Sequence, residues 1–159
     1  MQLRDVAARA EVSTRTLHLH FPSKNFLLLS TLIGQAEETD FFPESPDSRA
    51  DDPVTRVMAT FGPPTRILIA MPQVAAGLMS ALVSPDELAL PLLRSYRDQL
   101  NERAARALAV DEPTRRDEMI ARALAQVWFA AMAGWVTGAE EPGSVLESVE
   151  HAARLILAD

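Results

Sequence analysis

Cysteine is absent from this 159-residue chain, which excludes disulfides, thiol nucleophiles and cysteine-held zinc. Histidine is scarce. His18 and His20 stand two apart, about 200° from each other if helical, and His151 is remote, so no chelating set forms and no metal is expected. Equally missing are a glycine-rich phosphate loop, a nucleophile elbow and a carboxylate pair at catalytic spacing; neither an enzyme nor a bound cofactor is expected. No stretch of about 18 uninterrupted apolar residues offers a bilayer span. Arg4 and Asp5 occupy the region where a secretion signal needs an apolar core. The composition therefore points to a cytoplasmic protein with no membrane partner. Hydrophobic residues make up 48% of the chain and charged residues 23%, with a mean hydropathy of +0.02, the balance of an ordinary globular domain.

Apolar residues recur three and four apart almost throughout, and no run alternates as a half-buried strand would, so the expected fold is all-α. Eleven prolines punctuate the pattern. Proline is tolerated in the first helical turn and disfavoured later, which makes Asp52-Pro53, Ser84-Pro85 and Glu112-Pro113 read as helix starts. Ser84-Pro85-Asp86-Glu87 also has the form of a capping box. The spacing predicts helices over 2–10, 13–20, 23–40, 53–61, 64–71, 73–83, 85–108, 113–138 and 143–158. Between the third and fourth, the proline-, serine- and acid-rich stretch Phe41–Asp52 reads as a loop. It divides the chain into a head, 1–40, and a body, 41–159.

The head holds the most informative pattern. Leu3, Val6, Ala7 and Ala10 share one face of a short helix, which breaks before Ser13, a helix-capping residue. A second short helix follows, in which Leu17 and Phe21 point inward and Thr14, Arg15, Thr16 and His18 are left for solvent. Two short helices joined by a tight turn, the second presenting hydrogen-bonding side chains, is the arrangement that reads a DNA major groove. Arginine grips guanine bidentately, threonine offers a hydroxyl and a methyl, and Lys24 supplies a point charge for phosphate. Charge is distributed accordingly: residues 1–33 carry a formal +2, leaving −9 for the remainder of a chain whose total is −7.

These residues resemble the signature of the tetracycline-repressor family. Val6-Ala7, Ala10-Glu11-Val12-Ser13, Thr16-Leu17-His18-Leu19-His20-Phe21 and Pro22-Ser23-Lys24 match it in order and spacing. The resemblance implies that Thr14 and Arg15 face bases, while Arg4, Thr16, His18, His20 and Lys24 hold the DNA backbone. Glu11 departs from the family's turn glycine, a costly exchange wherever that position needs positive φ, and His18 replaces its usual tyrosine. Family members also carry a further helix ahead of the position matching Met1. Without that cover Val6, Ala10, Leu17 and Phe21 forfeit burial at about 1.5–3 kcal/mol for each large side chain.

For the body, the resemblance implies a helical domain that dimerises through its last two helices and binds a small molecule. Leu146, Val149, Ala153 and Ile156 form a stripe on the final helix, and Ala130, Ala131, Ala133 and Gly134 permit close helix approach, features that suit a symmetric dimer. Met58, Phe61, Leu68, Met71, Leu78, Met79, Leu82, Leu92, Tyr96, Trp128, Phe129 and Met132 are the expected ligand-pocket residues. The same stripe at helical spacing is what a plain core looks like; the family's domain plan assigns it to a pocket. Val127-Trp128-Phe129, Trp135-Val136-Thr137 and Ala153-Arg154-Leu155-Ile156 are similar to the actinobacterial branch of the family that represses sterol and lipid catabolism. The effector this implies is a small apolar molecule, a lipid- or sterol-derived acid or its acyl-CoA.

The expected function is thus a dimeric repressor that binds a palindromic double-stranded operator and is released by its effector. The alternative is a dimeric small-molecule-binding module without DNA binding. If Arg15 reads a base directly, Arg15→Ala relaxes preference at one operator position and costs roughly 1–3 kcal/mol of binding, measurable by competition among single-base operator variants. An unchanged preference moves the reading role elsewhere.

Overall fold

The computed structural model describes residues 2–38 and 52–158 of the chain, and among them every regular element is a helix. The eight are α1 (Leu3–Arg9), α2 (Thr14–His20), α3 (Lys24–Glu38), α4 (Pro53–Ala70), α5 (Pro72–Val83), α6 (Leu90–Leu108), α7 (Arg115–Val136) and α8 (Ser144–Leu157). The all-α reading holds. Apart from Asp52, the loop expected over 41–52 lies outside the described residues.

Helix ends follow local chemistry. Ser13 caps α2 by accepting the Thr16 N–H at 3.0 Å. Asp52 caps α4, its carboxylate taking the Val54 and Thr55 N–H groups at 2.9 and 3.2 Å. The Thr55 hydroxyl is the chief reason that this carboxyl titrates below the usual carboxylate range. The cap is therefore intact at neutral pH and is lost only as acidification carries it through that lowered pKa. A reciprocal capping box joins Thr114 and Asp117 at the start of α7.

Three sequence expectations need correction. The helices predicted over 53–61 and 64–71 are one, since α4 runs through Pro63 and Pro64. Proline's fixed φ is helical, so the helix continues; what it forfeits is two N–H groups for the carbonyls of Ala59 and Thr60. The helix predicted from Pro85 begins at Leu90 instead, with Pro91 in its first turn. A start at Pro85 would bury Pro91 in the helix interior. The chain avoids this by letting Asp86 accept the Ala89 N–H at 3.0 Å, while the Ser84 N–H bonds back to Ser80 as the C-cap of α5. The third concerns the stripe assigned to dimerisation. Val149 and Ala153 are fully buried within the subunit, packed in the main core with Val145, because α8 spends this face against α4 and α7.

That core joins α4 through α8 around Phe61, Leu124, Met132 and Val57, with Leu32 of α3 added from the head side. α7 is long and apolar enough to cross a membrane, but its Ile120, Leu124, Trp128 and Met132 are core residues of this bundle. Arg56, only 5% exposed, reaches across from α4 to the end of α6. Its Nε and Nη2 donate to the Ala107 and Leu108 carbonyls at 2.8 and 3.0 Å. These are orphan acceptors at the negative end of a helix, where a guanidinium satisfies both hydrogen bonding and dipole.

The head turn has its own signature. The Glu11 N–H bonds to the Ala8 carbonyl at 3.3 Å and the Val12 N–H to the Ala7 carbonyl at 3.0 Å, the paired bonds of a Schellman ending. That ending places residue 11 in the left-handed region, and Glu11 has φ 55°. Ala7 and Leu17 are buried between α1 and α2, Val6 and Phe21 are half-buried, and Ala10 is exposed.

Two stability predictions follow from these contacts. Arg56→Met strands the two α6 carbonyls and lowers unfolding free energy by about 2–3 kcal/mol in urea denaturation. Glu11→Gly relieves a left-handed residue, worth about 1–2 kcal/mol, against the greater chain entropy of glycine, and raises stability by about 0.5–1 kcal/mol. A neutral or negative result for Glu11→Gly would show that the turn carries no strain.

Candidate nucleic-acid interface and ligand cavity

α1 and α2 remain separate helices, and the side chains expected to meet DNA stand clear of the body. Arg4, Thr14, Arg15, Thr16, His18, His20 and Lys24 are all exposed. At 100° per residue, Arg15 and Leu19 lie on the face of α2 opposite buried Leu17, with His18 and Thr16 at its flanks and Thr14 exposed in the first turn nearer the Leu17 side. Two local bonds qualify individual roles. The Thr16 hydroxyl lies 2.8 Å from that of Ser13, so part of its hydrogen-bonding capacity serves the cap. Arg4 sits 3.6 Å from Asp5 with both side chains well exposed, a weak surface pair that leaves the guanidinium available to phosphate.

α3 ties this head to the body. Leu29 has no exposed surface and packs with Ala81 and Ala89, bordered by Leu28, Leu82, Leu92 and Leu93. The Asn25 side chain donates to the Ser84 carbonyl at 3.1 Å, linking the first turn of α3 to the segment that follows α5.

Directly beyond that segment lies a cavity of about 320 Å³, walled by Leu82 and Val83 of α5, Leu93, Tyr96, Arg97, Leu100 and Asn101 of α6, and Ala125, Gln126, Trp128 and Phe129 of α7. Trp128 presents only its ring to this space. Its Nε1–H donates to the Thr65 hydroxyl at 2.7 Å, and that hydroxyl donates to the Phe61 carbonyl at 2.6 Å. The Phe61 ring stands 6.0 Å behind the indole at a 41° tilt. Burial pushes the Tyr96 phenol well above its ordinary pKa, so it stays neutral, a hydrogen-bonding group rather than a charge. Arg97 and Gln126 are exposed and Asn101 half-buried, so the polar side of the wall faces solvent.

Of the twelve residues expected to form a pocket, Leu82, Tyr96, Trp128 and Phe129 line this cavity. Phe61, Leu68, Leu78, Met79 and Met132 are buried in the main core, with Met58 packed on it half-buried. Leu92 borders the smaller cluster under α3. Met71, 44% exposed, forms the corner between α4 and α5 and does not reach the cavity. Sequence reasoning missed Val83, Leu100, Ala125 and the polar members Arg97, Asn101 and Gln126. The positions 93, 96, 97, 100 and 101 recur at helical spacing on α6, a signal hidden because polar residues interrupt it.

The same two parts, head and helical body, recur in known proteins. Residues 50–156 match the family described as "Tetracyclin repressor-like, C-terminal domain", and residues 1–31 match "Bacterial regulatory proteins, tetR family". The HTH-type transcriptional repressor KstR of Rhodococcus jostii is 29% identical over 159 residues, 100% of this chain and 74% of that protein. The protein of the same name from Mycobacterium tuberculosis is likewise 29% identical over 159 residues, 72% of its length. Among solved structures, a TetR transcriptional regulator from Rhodococcus sp. RHA1 superposes with a TM-score of 0.83 at 22% identity, covering 100% of this chain and 85% of that one. These relatives are regulators rather than enzymes. With its exposed two-helix head and its helical body each matching the corresponding part of one regulator type, the chain belongs to the tetracycline-repressor family of bacterial transcriptional regulators.

Proposed function

We propose that the protein is a ligand-responsive repressor, acting in the cytoplasm, that binds a palindromic operator as a dimer and releases it when a small apolar effector enters the body. The observation that carries this reading is the path from cavity to head. α3 packs on α5 and α6, two of the three helices that wall the cavity. Asn25 holds the carbonyl of Ser84, the residue immediately after cavity-lining Val83. A molecule that spreads this wall therefore works directly on the helix whose first residue, Lys24, faces DNA, and an effector shifts the equilibrium by its preference for the displaced arrangement.

The domain division at 1–40 and 41–159 belongs to this proposal, as do the seven DNA-facing residues. Dimerisation is assigned to the outer face of α7, where Met119, Ala123 and Ala130 are exposed and small residues allow a partner helix close approach. The effector class follows from the wall. Leu93, Leu100, Trp128 and Phe129 favour an apolar body, no acidic residue lines the space among the described residues, and Arg97 suits a carboxylate or the anionic part of a thioester at its open side. A lipid- or sterol-derived acid, or an acyl-CoA whose acyl part enters, meets these terms.

The test is an operator selected from random DNA, followed by fluorescence anisotropy with apolar acids, acyl-CoAs and neutral drugs as competitors. Twofold-symmetric DNA is expected to bind and apolar anions to release it. Ala125→Phe fills the cavity, so this variant should bind operator as the parent does and lose release at least tenfold in effector concentration. Failure to select any DNA removes the repressor reading and leaves a small-molecule-binding module; release that Ala125→Phe does not alter removes the cavity from the mechanism.

A further inference from the structure

Leu19 is 80% exposed, among the most solvent-exposed large apolar side chains of the described residues. A single leucine on a protein surface is ordinary. Its position is not. α2 places Leu19 about 200° from Leu17, the residue that seats the helix, and one turn beyond Arg15. Arg15, Thr16 and His18, its neighbours around the helix, are all hydrogen-bonding side chains, and neither α1 nor α3 covers the leucine. An isobutyl group in that company can make no hydrogen bond to a base or a phosphate. What it can do is exclude water from another apolar group, and the major groove displays just one among the four standard bases, the C5 methyl of thymine.

We infer that Leu19 is a specificity-determining residue that packs against a thymine methyl. The inference rests on the reading that α2 enters the major groove. Along the helix, Leu19 lies about 6 Å from Arg15, while successive base pairs are about 3.4 Å apart. The thymine it contacts is therefore one or two base pairs from the base that Arg15 reads. Arginine and leucine form a two-letter reader, one arm recognising acceptors and the other a methyl group. The apolar contact costs no desolvation of a charged side chain, and it rejects cytosine at that position through the missing methyl and the exposed amino group.

Deoxyuridine tests this, because it keeps the pairing edge of thymine and lacks only the methyl. Each thymine of the selected operator is replaced in turn and binding is measured by anisotropy. One position per half-site is expected to lose about fourfold in affinity, the equivalent of leaving one methylene-sized group unburied. Leu19→Ala should bind thymine and deoxyuridine equally there, while keeping the parent's discrimination at the Arg15 position and its melting temperature. Leu19→Met, which restores an apolar tip, should recover the methyl preference. A chain that selects no DNA overturns the repressor reading and this one together. One that selects an operator but shows no methyl effect dependent on residue 19 overturns this assignment alone.

Discussion

The burial of Leu29 and Leu32 joins the two ends of the molecule. α3 begins just after α2 and packs on the body, and these two leucines, at 0% and 5% exposure, seat it between the cluster containing Ala81 and Ala89 and the main core. Were α3 a solvated connector, the head would sample many orientations and a bound ligand could not bias any of them. Because its leucines are held from both sides, motion of α5 or α6 has no slack to disappear into. Interiors packed at this density pass displacement on rather than absorbing it.

The cavity is bounded by a second constraint, the chain of hydrogen bonds from Trp128 through Thr65 to Phe61. Indole is the largest apolar surface available, and its N–H must be satisfied when buried. With Thr65 meeting that demand from behind, the ring turns toward the cavity as a purely apolar wall. Apart from Gln126 of α7, polarity at the site then comes from α6, where neutral Tyr96 and exposed Arg97 are adjacent in sequence but differ in burial. One helix thus supplies both a hydroxyl in the protein and a charge at the solvent boundary.

Much of this was legible in the sequence where a single local interaction decides. The caps at Ser13 and Asp52 and the helix-turn-helix spacing of residues 3–21 depend on neighbours within a turn, and they stand where the pattern put them. The cost at Glu11 was visible as a departure from glycine, and the residue does take positive φ. Where two local signals competed, the pattern misled. Pro85 and Pro91 both mark a helix start, and only the packing of the 84–89 segment chooses between them. Patterns could not say which apolar stripe faces what: Val149 and Ala153 serve the subunit's own core, and Phe61 and Met132 are sealed in it while Leu93 and Leu100 reach the cavity. A hydrophobic face records that it is buried, not by whom.

The unbroken course of α4 has a mechanical meaning. This helix touches α5, α6 and α8, and through Thr65 it supports the indole of α7, yet its middle lacks two rungs of the backbone ladder at Pro63 and Pro64. A rod with missing rungs flexes at lower energy than an intact one, and helices yield at such places. The spine of the bundle is consequently easier to bend at its middle than a helix with every rung in place. Close packing of side chains coexists with a backbone that can arch behind them, so the interior can change shape without first coming apart.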